Sequence, residues 1–390
     1  MKIRILDCFL CGILTTALLA PISRGTSPAP VPPGTKAEDD RPLVQLALLL
    51  DTSNSMDGLI AQAKTQLWQI VNEFIDAKQE GKAPRVEVAL YEYGNDGLPA
   101  EKGYVRQVTP LTVDLDKISE SLFALKTNGG SEYCGWVIRD AVKDLAWNDS
   151  SKVYKALFVA GNEPFDQGPV KYNDSCKSAV ERGIIVNTIH CGDQSAGISG
   201  KWKDGAALAD GKFMTIDTNA QLAHVTAPQD KEIADLNTRL NTTYIAYGRA
   251  GAEGKRRQDA QDDNAASAPA APTVTAQRAK TKASANYSNS AWDFLDAVKE
   301  KKIDLATAKD EQLPEELRKI APEKRTEFVA AKQKEREEVQ ARLRELTADR
   351  DKYVAAQAKE KSPDKRLDQA VSGAVREQAA KKSFVFQKEE

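Results

Sequence analysis

A chain of 390 residues, 41% of them hydrophobic, can bury one sizeable core with material left over for a second. Its 55 Lys and Arg stand against 57 Asp and Glu, and a net charge of -2 gives no overall electrostatic case for a nucleic-acid partner, because phosphate binding needs a basic surface. The two histidines, His190 and His224, lie far apart in the chain, which argues against a histidine-rich zinc site.

The chain opens MKIRILDCFLCGILTTALLAPISRGTS, with Lys2 and Arg4 before an apolar run and small residues around Ser23 and Gly25. That layout predicts a secretory signal peptide over 1–25 and export to the periplasm, the cell surface or the medium. The run is shorter than the roughly 20 residues that span a bilayer, and Asp7 interrupts it, which disfavours a membrane anchor. Residues 26–42 are rich in proline and lack apolar periodicity, so they are expected to form an extended tether.

From residue 43 the character changes. LVQLALLL (43–50) is the continuous apolar run of a strand buried on both faces. It meets DTSNSMDG, whose Ser and Asp can cap a helix over 61–77. RVEVALYEYG (85–94) and YVRQVTP (104–110) read as strands, the second with the alternation of an edge. A helix over 114–125, a Gly-rich loop and a helix over 133–147 follow. KALFVAG (155–161) and IIVNTIHCG (184–192) are buried-type strands flanking a helix that Gly183 closes. A short helix, the strand KFMTID and a helix within 231–248 complete the alternation, which predicts a doubly wound, mostly parallel α/β domain over 43–248. Residues 249–285 carry little that could form a core and read as a disordered linker. Of the hundred residues 291–390, 45 are charged, and 286–390 read as a helical hairpin or short coiled coil. Its stripe of Val339, Leu343, Leu346 and Tyr353 is the expected surface for self-association.

In an open parallel sheet, ligands bind beyond the carboxyl ends of the strands. Asp51-x-Ser53-x-Ser55 sits there, between a buried strand and a helix, and a tight turn can aim its three oxygens at one point. Such oxygens suit hard divalent cations, although Ser and Asp are also the preferred cap residues of a helix. No GxxxxGK[ST] or GxGxxG supports nucleotide chemistry.

The strand–DTSNSM–helix opening, the GGSEYCG loop and the strand order resemble the von Willebrand factor type A domain over roughly 43–248. The resemblance implies a metal-ion-dependent adhesion site in which Asp51, Ser53 and Ser55 match the first motif and Ser131 takes the place of a Thr. It departs from the family after the central strand, where Gly161-Asn162-Glu163 replaces Thr-Asp-Gly. The implied site is therefore Asp51, Ser53, Ser55 and Ser131 with Asn162 or Glu163, holding Mg2+, or Mn2+ or Ca2+, more weakly for want of a carboxylate. The implied function is a non-enzymatic protein-binding module whose metal accepts a carboxylate from an unidentified partner protein.

Cys134, Cys176 and Cys191 remain if the leader is removed, and an oxidising compartment predicts a disulfide between two of them, the pairing left open. A thiol-dependent hydrolase is the alternative, because a helix N-terminus lowers a thiol pKa and His190 neighbours Cys191. Adjacent residues of a strand point to opposite faces, which separates that pair. His224 has no partner in view and reads as a solvated or core histidine.

Overall fold

The computed structural model describes residues 40–219, 225–358 and 367–386. The expected signal peptide, nearly all of the tether and His224 lie outside them. Six strands build the main sheet: β1 (Leu43–Asp51), β2 (Arg85–Tyr93), β3 (Val105–Thr112), β4 (Tyr154–Gly161), β5 (Ile185–Cys191) and β6 (Phe213–Ile216). Their order is β3-β2-β1-β4-β5-β6, parallel except for β3, which pairs antiparallel with β2 at one edge. The chain winds outward from the central β1 first to one side and then to the other, as in doubly wound α/β sheets.

The alternation of β1 explains its composition. Leu46, Leu48 and Leu50 face a core layer shared with α1 (Asp57–Asn72) and α2 (Leu115–Ala124). Ala47 and Leu49 face the other layer, shared with α3 (Cys134–Asp144) and α4 (Tyr172–Glu181). A strand covered on both sides has no polar face, so it reads as an unbroken apolar run. Each fully buried Leu contributes about 1.5–3 kcal/mol relative to exposure. Two short helices, α5 (Gln194–Ser199) and α6 (Trp202–Leu208), precede β6, and α7 (Asp230–Asn241) follows it.

The stretch 249–285, expected to be a disordered linker, is folded instead. It forms α8 (Gly251–Ser267) and α9 (Ala271–Lys282). Their buried side chains are mostly small or polar: Ala265, Ala276, Ala279, Gln258, Gln261, Arg278, Thr281 and Lys282. Alanine permits close helix contact and the polar groups are paired inside, so low hydrophobicity here does not mean absence of a core.

Three further helices follow: α10 (Phe294–Lys299), α11 (Glu315–Arg318) and α12 (Pro322–Ala358), the last a single run of 37 residues. The stripe expected to mediate self-association is largely consumed within the chain. Val339, Leu343 and Leu346 are buried against α7, α9 and Trp292, while Tyr353 stays 37% exposed. A final helix, α13 (Leu367–Ala380), closes the α1 side of the sheet with Leu367, Val371, Ala374, Val375 and Ala379. Gln62 and Gln66 of α1 accept its first backbone amides at 3.2 and 2.8 Å. Gln378 near its end accepts from Tyr154 Oη at 2.9 Å and donates to Asn187 Oδ1 at 2.6 Å. Val385–Phe386 then pairs antiparallel with Ala77–Lys78. These helices belong to one compact unit with the sheet, from Asp40 onward.

Candidate functional site

Strands β1, β2 and β4 end in register. Asp51 pairs across from Tyr93, and Leu50 from Ala160. The loops that leave these ends converge beside the start of α1. Thr52 fixes the first of them: its amide donates to the Tyr93 carbonyl at 2.8 Å and its own carbonyl accepts from Asn128 at 2.9 Å. The turn then closes, with the Ser53 amide donating to Asp51 Oδ1 at 2.7 Å and the Met56 amide to the Ser53 carbonyl at 3.0 Å.

This turn gathers most of the expected residues. Ser53 Oγ and Ser55 Oγ lie 3.2 Å apart, and Ser55 donates to Asn162 Oδ1 at 3.3 Å. Asp51 and Ser53 are buried, whereas Ser55 is exposed. Glu163 is half-buried, anchored through its carbonyl, which accepts from Trp202 Nε1 at 2.8 Å. Ser131 is half-buried in the loop before α3. The residue of that loop that comes up to Asp51 is its neighbour Glu132, buried, with its Cγ and Asp51 Oδ1 both lying against Gly94. A glutamate in a glycine-rich loop looks solvated in sequence, and Glu132 carried no signal beyond its place next to Ser131.

The electrostatics of this cluster are one-sided. Burial pushes the Asp51 carboxyl up to about 7, against the hydrogen bonds from Ser53 and with the charges of Glu132 and Glu163 adding to the rise. Glu132 is raised as well, by burial first and then by Glu163. Asp51 Oδ2 is buried with no hydrogen-bond partner. No lysine or arginine pairs with these three carboxylates among the described residues. Among those residues there is also no group of three or more His, Cys, Asp or Glu placed to hold a metal ion. The donors that do converge are of mixed kind: carboxylate, hydroxyl and amide oxygen.

Of the two positions where the resemblance expects a carboxylate, Asn162 presents an amide and Gly161 is closely packed. A Cβ built on Gly161 would lie 2.5 Å from Tyr93 Oη and 3.0 Å from Asp51 Oδ2, so the end of β4 has no room for a side chain. Tyr93 Oη occupies that space, donating to the Ala160 carbonyl at 3.0 Å.

The expected disulfide is not formed. Cys134, Cys176 and Cys191 are free and buried. Cys191 belongs to the core layer on the α1 side of the sheet, the other two to the layer on the α3 side. Cys134 Sγ points to Tyr93 Oη at 3.6 Å and Cys176 Sγ to the Gly205 carbonyl at 3.5 Å. Burial raises all three thiols, Cys176 to about 12, so none offers the thiolate that a hydrolase needs. His190, beside Cys191 in sequence, packs its ring against Trp202 at 5.7 Å, on the opposite face.

No family model matches this sequence, and no curated protein matches it. Solved structures resemble part of it. The VWA domain of SpRpn10 is 17% identical, with 46% of this chain and 90% of that one covered, at a TM-score of 0.35. The conserved hypothetical protein BatB from Bacteroides thetaiotaomicron is 17% identical over 45% of this chain and 90% of its own, at 0.34. An aerotolerance-related membrane protein from Bacteroides fragilis is 17% identical over 46% and 93%, at 0.29. These scores are low, and the assignment rests on the topology: a sheet wound outward from β1, with Asp51-x-Ser53-x-Ser55 on the loop leaving that central strand. The strand order and the loop leaving β1 are those expected of a type A-like fold. The loop after β1 brings Asp51, Ser53 and Ser55 together, and the central strand ends in Gly161 without a carboxylate.

Proposed function

We propose that the carboxyl edge of the sheet is a protein-binding face centred on a divalent-cation site. The observation that carries this reading is the Oδ2 of Asp51, buried without a partner beside oxygens that no lysine or arginine among the described residues neutralises. A buried carboxylate left this way is costly unless a ligand supplies the positive charge. Asp51, Ser53 and Ser55 would hold the ion, with Ser131, Asn162 and Glu163 around it. Mg2+, Mn2+ or Ca2+ suits such an oxygen set. When bound, the ion supplies an electropositive point for a carboxylate of the partner protein, and the chain's own residues fix its place on the face. The role is binding or assembly rather than catalysis, in keeping with three thiols that are buried and protonated.

The basic start and apolar run of residues 1–25 support reading the protein as exported, to the periplasm or the surface. No described helix is long and apolar enough to cross a membrane.

Calorimetric titration of the full chain with Mg2+, Mn2+ and Ca2+ tests the cation site. Binding of one ion that is lost in Asp51→Ala is the expected result. Heat changes absent from the wild type, or unaltered by the substitution, would remove the cation from the account.

A further inference from the structure

The carboxylate missing from β4 leaves the site with one certain anionic donor, and hard divalent cations are held mainly by charge. Two glycines show where a replacement stands. At Gly161 a side chain is sterically barred, by Tyr93 Oη and by Asp51 itself. Gly94, at the end of β2, has φ +77°, and a Cβ there would lie 2.8 Å from Asp51 Oδ1 and 2.9 Å from Glu132 Cγ. Asp51 and Glu132 thus close on the same point, above a residue that must remain glycine for both to fit.

We infer that Glu132, from the glycine loop before α3, supplies the second carboxylate of the cation site in place of the one that β4 cannot carry. The assignment rests on the reading of this face as a cation site.

The loop is held so that Glu132 cannot drift away. The Asp96 amide donates to the Gly129 carbonyl at 2.6 Å, and the Asn128 amide to the Thr52 carbonyl at 2.9 Å. Gly130 packs so close to the Gly94 carbonyl that a Cβ would approach it to 2.4 Å. Those three contacts clamp the loop to the ends of β1 and β2, immediately before Ser131 and Glu132. Glu132 is buried and its stem lies against Gly94 beside Asp51, whose turn sets the Ser53 and Ser55 hydroxyls 3.2 Å apart. Glu132 therefore stands next to Asp51 at the mouth of the same turn. Two like charges brought together in a buried pocket, with no arginine or lysine between them, repel until a cation enters. Asp51 Oδ1, on the Glu132 side, accepts from the Ser53 amide, while its buried Oδ2, towards Gly161, has no hydrogen-bond partner.

The test uses the full chain, freed of metal by chelation and titrated with Mn2+ by calorimetry, with electron paramagnetic resonance reporting the free ion. Glu132→Gln keeps the size and most hydrogen bonds of the side chain and removes its charge. It is expected to weaken Mn2+ binding by about tenfold or more, the effect of removing a charged ligand. Thermal unfolding in chelator separates this from damage to the fold: Glu132→Gln should unfold no earlier than wild type, because a repulsive pair has been relieved. A wild type that binds no Mn2+ would overturn the cation site and Glu132 with it. A wild type that binds, with Glu132→Gln within about threefold of it, would overturn the Glu132 assignment alone and leave Asp51 at its centre.

Discussion

The loop cluster around Asp51 and the seam between α2, α8 and α9 both bury carboxylates, and they treat them in opposite ways. In the seam, Arg278 Nη1 meets Asp116 Oδ1 at 2.6 Å, and its Nε meets Asp262. Lys282 reaches Asp262 Oδ2 at 2.9 Å, and Tyr287 donates to Asp116 Oδ2 at 2.5 Å. Burial acts to raise Asp262, yet Arg278 and Lys282 together hold it below the usual carboxylate range. Burial brings the Lys282 ammonium down to about 8, against the pull of Asp262. Each charge in the seam has an opposite partner. Around Asp51 none has one among the described residues. Burial of charge is thus no mark of function in this molecule; burial without a counter-charge is.

The largest effect expected from this contrast lies in the seam. Arg278→Ala would leave Asp116 without a cation and Asp262 with Lys282 alone, and equilibrium unfolding in urea should show a loss of about 3–5 kcal/mol. A loss below about 1 kcal/mol would mean that the seam is held by its alanines and not by its charges.

The opposite sign is expected at the loop cluster. Asp51→Asn removes a strained charge, and in chelator at pH 8 it should stabilise the protein by about 2 kcal/mol. The folded-state value of about 7 lies above the ordinary 3.8, so the folded chain binds the extra proton between those limits. Stability contributed by Asp51 is complete below the lower value and is lost as pH rises through the upper one. The advantage of Asp51→Asn should therefore fade as pH falls from 8 to 4 in denaturant titrations. A constant difference across that range would show that Asp51 titrates normally.

These two regions also differ in how far they could be read from sequence. The strands of the sheet announced themselves because each is covered on both faces and stays apolar along its length, as Leu46–Leu50 does. The antiparallel edge strand was marked by its alternation. Helices α8 and α9 left no such trace. Their contacts come from Ala276 and Ala279 and from ion pairs such as Arg278 with Asp116, and neither small residues nor charges register as core. In the site, Asp51, Ser53 and Ser55 were legible because one turn carries all three, and Asn162 because it follows the central strand. Glu132 was not, since its role depends on Gly94 and Gly130 bringing two distant loops together. The sheet separates Cys191 from the other two cysteines, and Cys134 and Cys176, though in one core layer, turn to Tyr93 Oη and the Gly205 carbonyl instead of to each other.

The smallest effect is expected at Tyr353, the exposed member of the α12 stripe. With its companions buried inside the chain, Tyr353→Ala should change stability by no more than about 0.5 kcal/mol. Light scattering should show an unchanged oligomeric state. A shift in mass would restore that stripe as an association surface.

The difference between paired and unpaired buried charge is tested most directly by unfolding the full chain in urea at pH 8, with chelator and then with increasing Mg2+. Stability of the wild type should rise with cation concentration, as it does for any ligand that binds only the folded state, and Asp51→Asn should gain nothing. An equal rise in both proteins, or none in the wild type, would contradict a cation site at Asp51.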